Sequence, residues 1–272
     1  MATKDEILTR LLKEENYVSG EELARQTGVS RAAVWKAIKS LKKSGYDIEG
    51  VTKCGYKLKQ NNSLVTAEGV KALLERDIEV THFDTVDSTN TYCKRLLADG
   101  KQGEFLVTAA KQTAGRGRQG KSFYSPSETG IYFSLVIRPD TSLQNAVTAT
   151  TAAAVCKAIE KTTDLKPKIK WVNDVYLNGK KVCGILTEAT TDFESGTVDS
   201  VIIGIGINIS TTKFPSDVQG AGCLDVDVNR SALIAQTVNE LMKIAGGDYA
   251  SFIDYYRSHS MVIGEKIKFI QN

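Results

Sequence analysis

The sequence predicts an α+β fold in two parts: a small helical module ending in a β-wing, then a larger domain of paired strands with helices interposed. Within the first sixty residues, two helices are joined by a tight glycine turn, the pattern of a helix-turn-helix. Beyond them, β-branched runs such as Lys168–Val172, Lys181–Glu188 and Asp199–Asn208 alternate with Ala- and Leu-rich helical stretches. The two parts also differ in charge. Twelve of the 35 Lys+Arg and eight of the 32 Asp+Glu lie in residues 1–60, so that segment carries +4; the remaining 23 and 24 leave −1.

Length and composition narrow the function classes. A chain of 272 residues is long enough for a substantial core. No run approaches a membrane span, and Met1–Arg10 is too polar for a signal peptide. The five cysteines are scattered with no C-x-x-C pair, which fits a reducing cytoplasm and argues against a zinc site. With His82 and His259 the only histidines, triads and metal centres built on histidine have little to work with.

Taken in order, Lys4–Glu15 has Ile7, Leu8, Leu11 and Leu12 at helical spacing. Ser19 to Glu22 reads as a capping box opening a second short helix, and Thr27 to Ser30 as a tight turn. Ser30 caps a third helix, with Val34, Ile38 and Leu41 on its buried face and Gly45 at its end. From Leu23 to Tyr46 there is no acidic residue. Ser30, Arg31, Ala32, Trp35, Lys36 and Lys39 form the candidate DNA-reading face, and the segments around Asp47 and Tyr56 a two-stranded wing. The other reading is a helical protein-docking module; the one-sided charge favours DNA, with a dimer on two half-sites.

After a polar linker at 60–63, a helix is expected from Thr66 to about Arg76. A strand at His82–Val86 leads into Asp87, Ser88, Thr89 and Asn90 at a helix N-terminus. That is more polar side chains than one N-cap uses. Phe105–Ala109 and the run after Gly130 read as strands, and Asn145–Lys161 as a helix. Asn173–Asp174 and Asn178–Gly179 bracket a hairpin; Asp192–Gly196 is a loop. Helices are expected at Ser231–Ile244 and Tyr249–Arg257.

The segment Gln112–Pro126 carries the strongest chemical signal. Gly115, Gly117 and Gly120 stand among Arg116, Arg118 and Lys121, so backbone N–H groups and guanidinium forks are offered to an anion. The spacing matches both G-x-G-x-x-G and the P-loop, yet each needs a helix directly afterwards. Pro126 and the β-branched run after Gly130 rule that helix out, and a solvated basic hairpin is the plain alternative. Lys170 alternates with Ile169 and Trp171 and so points to the other sheet face, toward a ligand or toward solvent. Asn173 and Asp174 add oxygens of the kind Mg²⁺ takes.

Six segments in order make the chain resemble the bifunctional biotin–protein ligases that are also biotin operon repressors. They are Ser30–Lys36, Asp87–Asn90, Gln112–Gly120, Lys170–Asp174, Gly184–Glu188 and Gly204–Asn208, and the resemblance extends to about residue 262. Val172 stands where the family usually has Pro, and Phe123 where it usually has Trp. The resemblance implies a winged helix-turn-helix at 1–62 and a class II synthetase-like catalytic domain at 66–262. It also implies that 263–272, with Ile267 and Phe269, begins a C-terminal SH3-like barrel that is cut short.

It implies a two-step reaction. Biotin and ATP, with Mg²⁺, give biotinyl-5′-AMP, and biotin then passes to a lysine of the biotin carboxyl carrier protein of acetyl-CoA carboxylase. Ser88, Thr89, Asn90, Gln112, Gly115, Arg116, Gly117, Arg118, Lys170 and Gly184 are the implied biotin contacts. Arg118, Lys121, Phe123, Lys170, Asn173 and Asn208 are the implied nucleotide contacts, with Lys170 and Arg118 catalytic and Asn173 on Mg²⁺. The adenylate would also be the corepressor, promoting a homodimer on operator DNA. Two alternatives remain: a biotin-sensing repressor without catalysis, and a lipoate–protein ligase.

Overall fold

The computed structural model describes residues 2–14, 16–59, 63–138, 146–191, 197–245, 249–264 and 266. The loop expected at Asp192–Gly196 and the strand with Ile267 and Phe269 lie outside the described residues.

The N-terminal module is a three-helix unit with a wing: α1 (Ala2–Lys13), α2 (Gly20–Thr27), α3 (Arg31–Lys43), β1 (Ile48–Val51) and β2 (Gly55–Leu58). Ile7, Leu8 and Leu11 of α1 meet Leu23 of α2 and Val34, Ile38 and Leu41 of α3 in a small closed core. Ser30 Oγ accepts from Ala33 N at 3.2 Å, as an N-cap should. The capping box at α2 is half made. Ser19 Oγ accepts from Glu22 N, but the Glu22 carboxylate turns outward to Arg25 and Gln26. Gly28 ends α2 with φ +67°, where glycine is favoured.

Tyr46 Oη lies 2.5 Å from Thr66 Oγ1, and Lys4 Nζ 3.2 Å from Glu68 Oε1, joining this module to the next. Thr66 caps α4 (Ala67–Lys71), which stops well short of Arg76. The reason is an amide from the other end of the chain. Asn239 accepts from Glu75 N and donates to Leu73 O, so these backbone groups are satisfied without helix.

The larger domain comprises β3 (Glu79–Phe83), α5 (Thr89–Ala98), β4 (Phe105–Ala109), β5 (Gly130–Ile137), α6 (Val147–Thr162), β6 (Lys168–Lys170), β7 (Asp174–Leu177), β8 (Lys180–Thr191), β9 (Val198–Asn208), α7 (Arg230–Ala245) and α8 (Tyr249–His259). The strands form one sheet in the order β3-β4-β5-β9-β8-β7-β6; β3 and β4 are parallel and the rest antiparallel. The expected strand through Val172 ends at Lys170, and residues 171–173 form a turn. Asn178 (φ +50°) and Gly179 (φ +76°) make the tight turn between β7 and β8.

The sheet has two unlike faces. Ile131, Phe133 and Leu135 of β5 and Ile203, Ile205 and Ile207 of β9 join Val155 of α6 and Leu241 of α7 in the main core. On the opposite face α5 covers only one end, where Cys93 packs with Phe105, Val107, Val136 and Ile202. The rest of that face has no helix packed on it among the described residues. No helix among the described residues is long and apolar enough to cross a membrane.

Candidate functional site

The cleft lies on the half of the sheet that α5 leaves open. Its floor is bare backbone: Gly206 pairs with Gly184 across β9 and β8, and Gly204 with Leu186. A Cβ on Gly204 would lie 2.2 Å from Asn90 Oδ1, and one on Gly206 2.4 Å from the Phe123 ring. Only glycine fits at these two points.

One wall is the N-terminus of α5. Ser88 caps the helix, and Ser88, Thr89 and Asn90 are each buried. The side chains form a network. Thr89 N and Thr89 Oγ1 donate to Gln112 Oε1 at 2.9 and 3.1 Å, and Gln112 Nε2 donates to Ser125 Oγ at 2.9 Å. Ser134 Oγ on β5 lies 2.7 Å from Thr89 Oγ1 and donates to Asn90 Oδ1 at 2.6 Å.

The glycine-arginine loop forms the roof, and β4 and β5 flank it as the sequence predicts. Its base is pinned to the α5 corner by Thr113 N to Val86 O and Ala114 N to Asp87 O. Phe123 N donates to Gly115 O and Gly117 N to Lys121 O, so the loop doubles back on itself around a turn at Arg118–Gly120. A Cβ on Gly115 would lie 2.4 Å from Phe123 O, which is why glycine is needed there. Arg116 reaches Glu188 at 3.2 Å, and Arg118 Nη1 donates to Asn173 Oδ1 at 2.7 Å.

The Phe123 ring lies over Gly184 and Gly206 and divides the cleft into two hollows. The first holds Ser88, Thr89, Asn90, Gln112, Arg116 and Arg118; the second holds Tyr124, Phe214 and Asn208. Phe123, Lys121 and Lys181 border both. Asn208 Nδ2 donates to Gly222 O, while its buried Oδ1 has no hydrogen-bond partner.

Two lysines change places relative to expectation. Lys170 is on the cleft face by register, opposite Asp174, which is opposite Gly184. Its side chain is nevertheless exposed, with Nζ 5.2 Å from the centre of the Tyr176 ring, and does not line either hollow. Lys181, which sequence reasoning passed over as part of a hairpin return, lines both. Its Nζ is 2.6 Å from Asp174 Oδ1, an ion-pair distance without hydrogen-bond angles. A bulge in β8 explains the omission. Val175 pairs with Cys183 but Tyr176 with Lys181, so Val182 is extra and Lys181 is turned to the cleft face. Strict alternation would put it with Cys183 and Ile185 in the core. The Asn-Gly turn is the sequence signal that sets this pairing.

Charge in the cleft is balanced pairwise. Glu188, on β8, faces Lys94 at 2.7 Å as well as Arg116. Burial would raise its pKa. Hydrogen bonds from Lys94 and Asn90 and the charges of Lys94 and Arg116 hold it below the usual carboxylate range. Behind the wall, Arg95 forks onto Asp87 at 2.6 and 3.0 Å and lowers that carboxyl. Among the described residues no group of three His, Cys, Asp or Glu could hold a metal by itself. Asn173 Oδ1 and the Asp174 carboxylate supply two oxygens, which suits a Mg²⁺ ion that arrives on phosphates and keeps water ligands.

On the N-terminal module, Ser30, Arg31, Ala32, Trp35, Lys36 and Lys39 are all exposed along one side of α3. Trp35 is 54% exposed, with Lys39 Nζ 5.2 Å above its ring. Arg31 and Trp35 share a groove with Lys53 and Tyr56 of the wing, as a groove-reading helix and wing would.

Residues 82–208 match the profile of the Biotin/lipoate A/B protein ligase family, and residues 3–57 that of an HTH domain. Over 210 residues the chain is 38% identical to the bifunctional ligase/repressor BirA of Bacillus spizizenii, covering 75% of this chain and 64% of that protein. Over 241 residues it is 31% identical to the bifunctional ligase/repressor BirA of Escherichia coli, covering 86% and 74%. The fold is similar to that of the biotin protein ligase from Aquifex aeolicus in complex with biotin and ATP. The TM-score is 0.57 at 28% identity, over 68% of this chain and 80% of that one. The chain thus spans somewhat less than two thirds of the length of its Bacillus relative.

Proposed function

The chain belongs to the biotin/lipoate A/B protein ligase family, and we propose on that premise that it is an ATP-dependent biotin–protein ligase that also represses transcription. The observation that carries the ligase reading is the divided cleft. A hydrogen-bonding hollow at Ser88–Asn90 and Gln112, lined also by Arg116 and Arg118, joins a second hollow at Asn208, and the cations Lys121 and Lys181 border both. Biotin fits that layout, with its ureido ring in the first hollow and its carboxylate toward the cations.

In the first step a biotin carboxylate oxygen attacks the α-phosphorus of ATP. The bond from that phosphorus to the bridging oxygen breaks, and pyrophosphate leaves. Negative charge gathers on the phosphoryl oxygens, where Arg118 and Lys181 supply preorganised positive charge. Lys170, on the same sheet face, could swing in from Tyr176 as the loop closes. Mg²⁺ would neutralise the leaving phosphates, with Asn173 and Asp174 as its protein oxygens. Asn208 Oδ1 offers an unused acceptor to the adenosine end. In the second step the amine of the carrier lysine attacks the acyl carbon and AMP departs. No enzyme nucleophile takes part. The roof over the mixed anhydride keeps water from it.

The exposed basic face of α3 supports operator binding. The adenylate would act as corepressor by ordering residues 112–126 at a homodimer interface, so that two winged helices address two half-sites. A cytoplasmic location goes with these partners, the biotin carboxyl carrier protein of acetyl-CoA carboxylase and DNA.

The test is to incubate the protein with ATP, the carrier domain, and labelled biotin or labelled lipoate. Biotin on the carrier is expected. Transfer of lipoate would point to the other branch of the family, and no transfer of either, with biotin still bound, to a sensor without catalysis.

A further inference from the structure

Glu188 has no role in the reaction described above, yet it touches three side chains on two elements of the cleft, the α5 wall and the roof. Its Oε2 accepts from Asn90 Nδ2 at 2.9 Å, on the α5 wall. Its Oε1 accepts from Lys94 Nζ at 2.7 Å. Arg116, on the roof, lies 3.2 Å from Oε1 and 3.4 Å from Oε2. The Glu188 side chain is 16% exposed while Lys94 and Arg116 are 42% and 44% exposed, so the carboxylate is sheltered in the wall and its cation partners reach it from the water side. We propose that Glu188 is a positioning residue that orients the Asn90 amide and tethers the glycine-arginine roof through Arg116, so that the biotin hollow is preformed.

Donors and acceptors around Asn90 fix which way its amide points. An asparagine amide can be placed either way round, and its neighbours decide. Here a carboxylate can only accept from Asn90 Nδ2, and Ser134 Oγ donates to Oδ1 at 2.6 Å. The NH₂ group is further held near Leu186 O at 3.4 Å. Asn90 therefore has a carbonyl lone pair left but little donor capacity. A polar ligand group that meets it must be a donor, as a ureido N–H is. The Lys94 ammonium from α5 and the Arg116 guanidinium from the roof both favour the ionised carboxylate, so Glu188 joins the two elements.

This inference rests on the biotin-ligase reading for its ligand, though the tether to Arg116 does not. Glu188→Gln keeps the shape, removes the charge and places an NH₂ group where donors already point. Biotin affinity by calorimetry is expected to fall roughly tenfold, as for loss of a charge-assisted hydrogen bond. The rate of adenylate formation at saturating biotin should stay within about threefold, since Arg118 and Lys181 are untouched. Without any ligand, tryptic cleavage after Arg116 and Arg118, followed by mass spectrometry, should be at least about threefold faster than in the wild type. Glu188→Asp, one methylene shorter and unable to span Asn90 and Arg116 together, should move both readouts the same way by less. It serves if the Gln variant does not fold. Unchanged affinity and unchanged cleavage overturn the proposal, as does a loss shared equally by affinity and rate with a lowered Tm. If the wild type binds no biotin, the ligase reading fails, and the cleavage rates still judge the tether.

Discussion

On one face of the large sheet, β9 presents Ile203, Ile205 and Ile207 to a dry core; on the other, the residues in register between them are Gly204, Gly206 and Asn208. The strand is the same and the alternation is regular. One face has side chains that fill space, the other has had them removed so that backbone lies bare beneath a cleft. Packing explains every residue of the first face. On the second it accounts for the end that α5 covers, where Val136 and Ile202 pack, but not for the open half, where glycines, paired charges and an Asn208 oxygen without a hydrogen-bond partner meet. The candidate site lies where space-filling side chains give way to bare backbone. The comparison can be broken by substitutions on each face.

The largest effect should come from Lys181→Ala. Removing a preorganised charge beside the reacting phosphate is expected to slow adenylate formation by about 10²- to 10³-fold in single turnover. Biotin binding should change little. Lys170→Ala, on the same face but pointing away, should slow it less; an equal or larger loss would mean that Lys170 swings fully into the closed site.

Gly206→Val would set a side chain where the Phe123 ring lies. Binding of biotin and ATP together should weaken by about 5- to 150-fold, the size of a 1–3 kcal/mol overpacking penalty. Isothermal titration measures it. Normal affinity would show that the glycine floor is not the ligand surface.

The opposite face should behave the other way. Leu241 is fully buried in the main core, so Leu241→Ala should lose about 2–5 kcal/mol of stability in urea unfolding. Biotin affinity of the folded fraction should be unchanged. A loss of affinity without a loss of stability would join the two faces and break the distinction.

The smallest effect belongs to neither face. Lys36→Ala on α3 should leave ligation at the wild-type level and make the salt dependence of operator binding shallower by about one unit. Ligation that falls together with DNA binding would mean that the two modules are not separable.

Much of this was legible in the sequence, and the residues that were not have identifiable causes. The roof was clear because Gly115, Gly117 and Gly120 stand among Arg116, Arg118 and Lys121, and Pro126 excluded the helix that other phosphate loops need. The exposed basic face of α3 was clear because the helix buries Val34, Ile38 and Leu41 and carries only positive charge opposite them. Lys181 was hidden by a β-bulge, which shifts face parity by one residue and depends on pairing across strands. Lys170 was assigned the correct face, but its rotamer follows the nearby Tyr176 ring, which alternation does not encode. The early end of α4 depends on Asn239, more than 160 residues away. Local rules reached what local chemistry determines, and long-range partners decided the rest.

The most direct measurement is a rapid-quench experiment with labelled ATP and biotin, run on the wild type and Gly206→Val side by side. The account predicts close to one equivalent of biotinyl-5′-AMP per wild-type chain in the first turnover and almost none with the variant at the same concentrations. No adenylate from the wild type, or equal bursts from both, would contradict it.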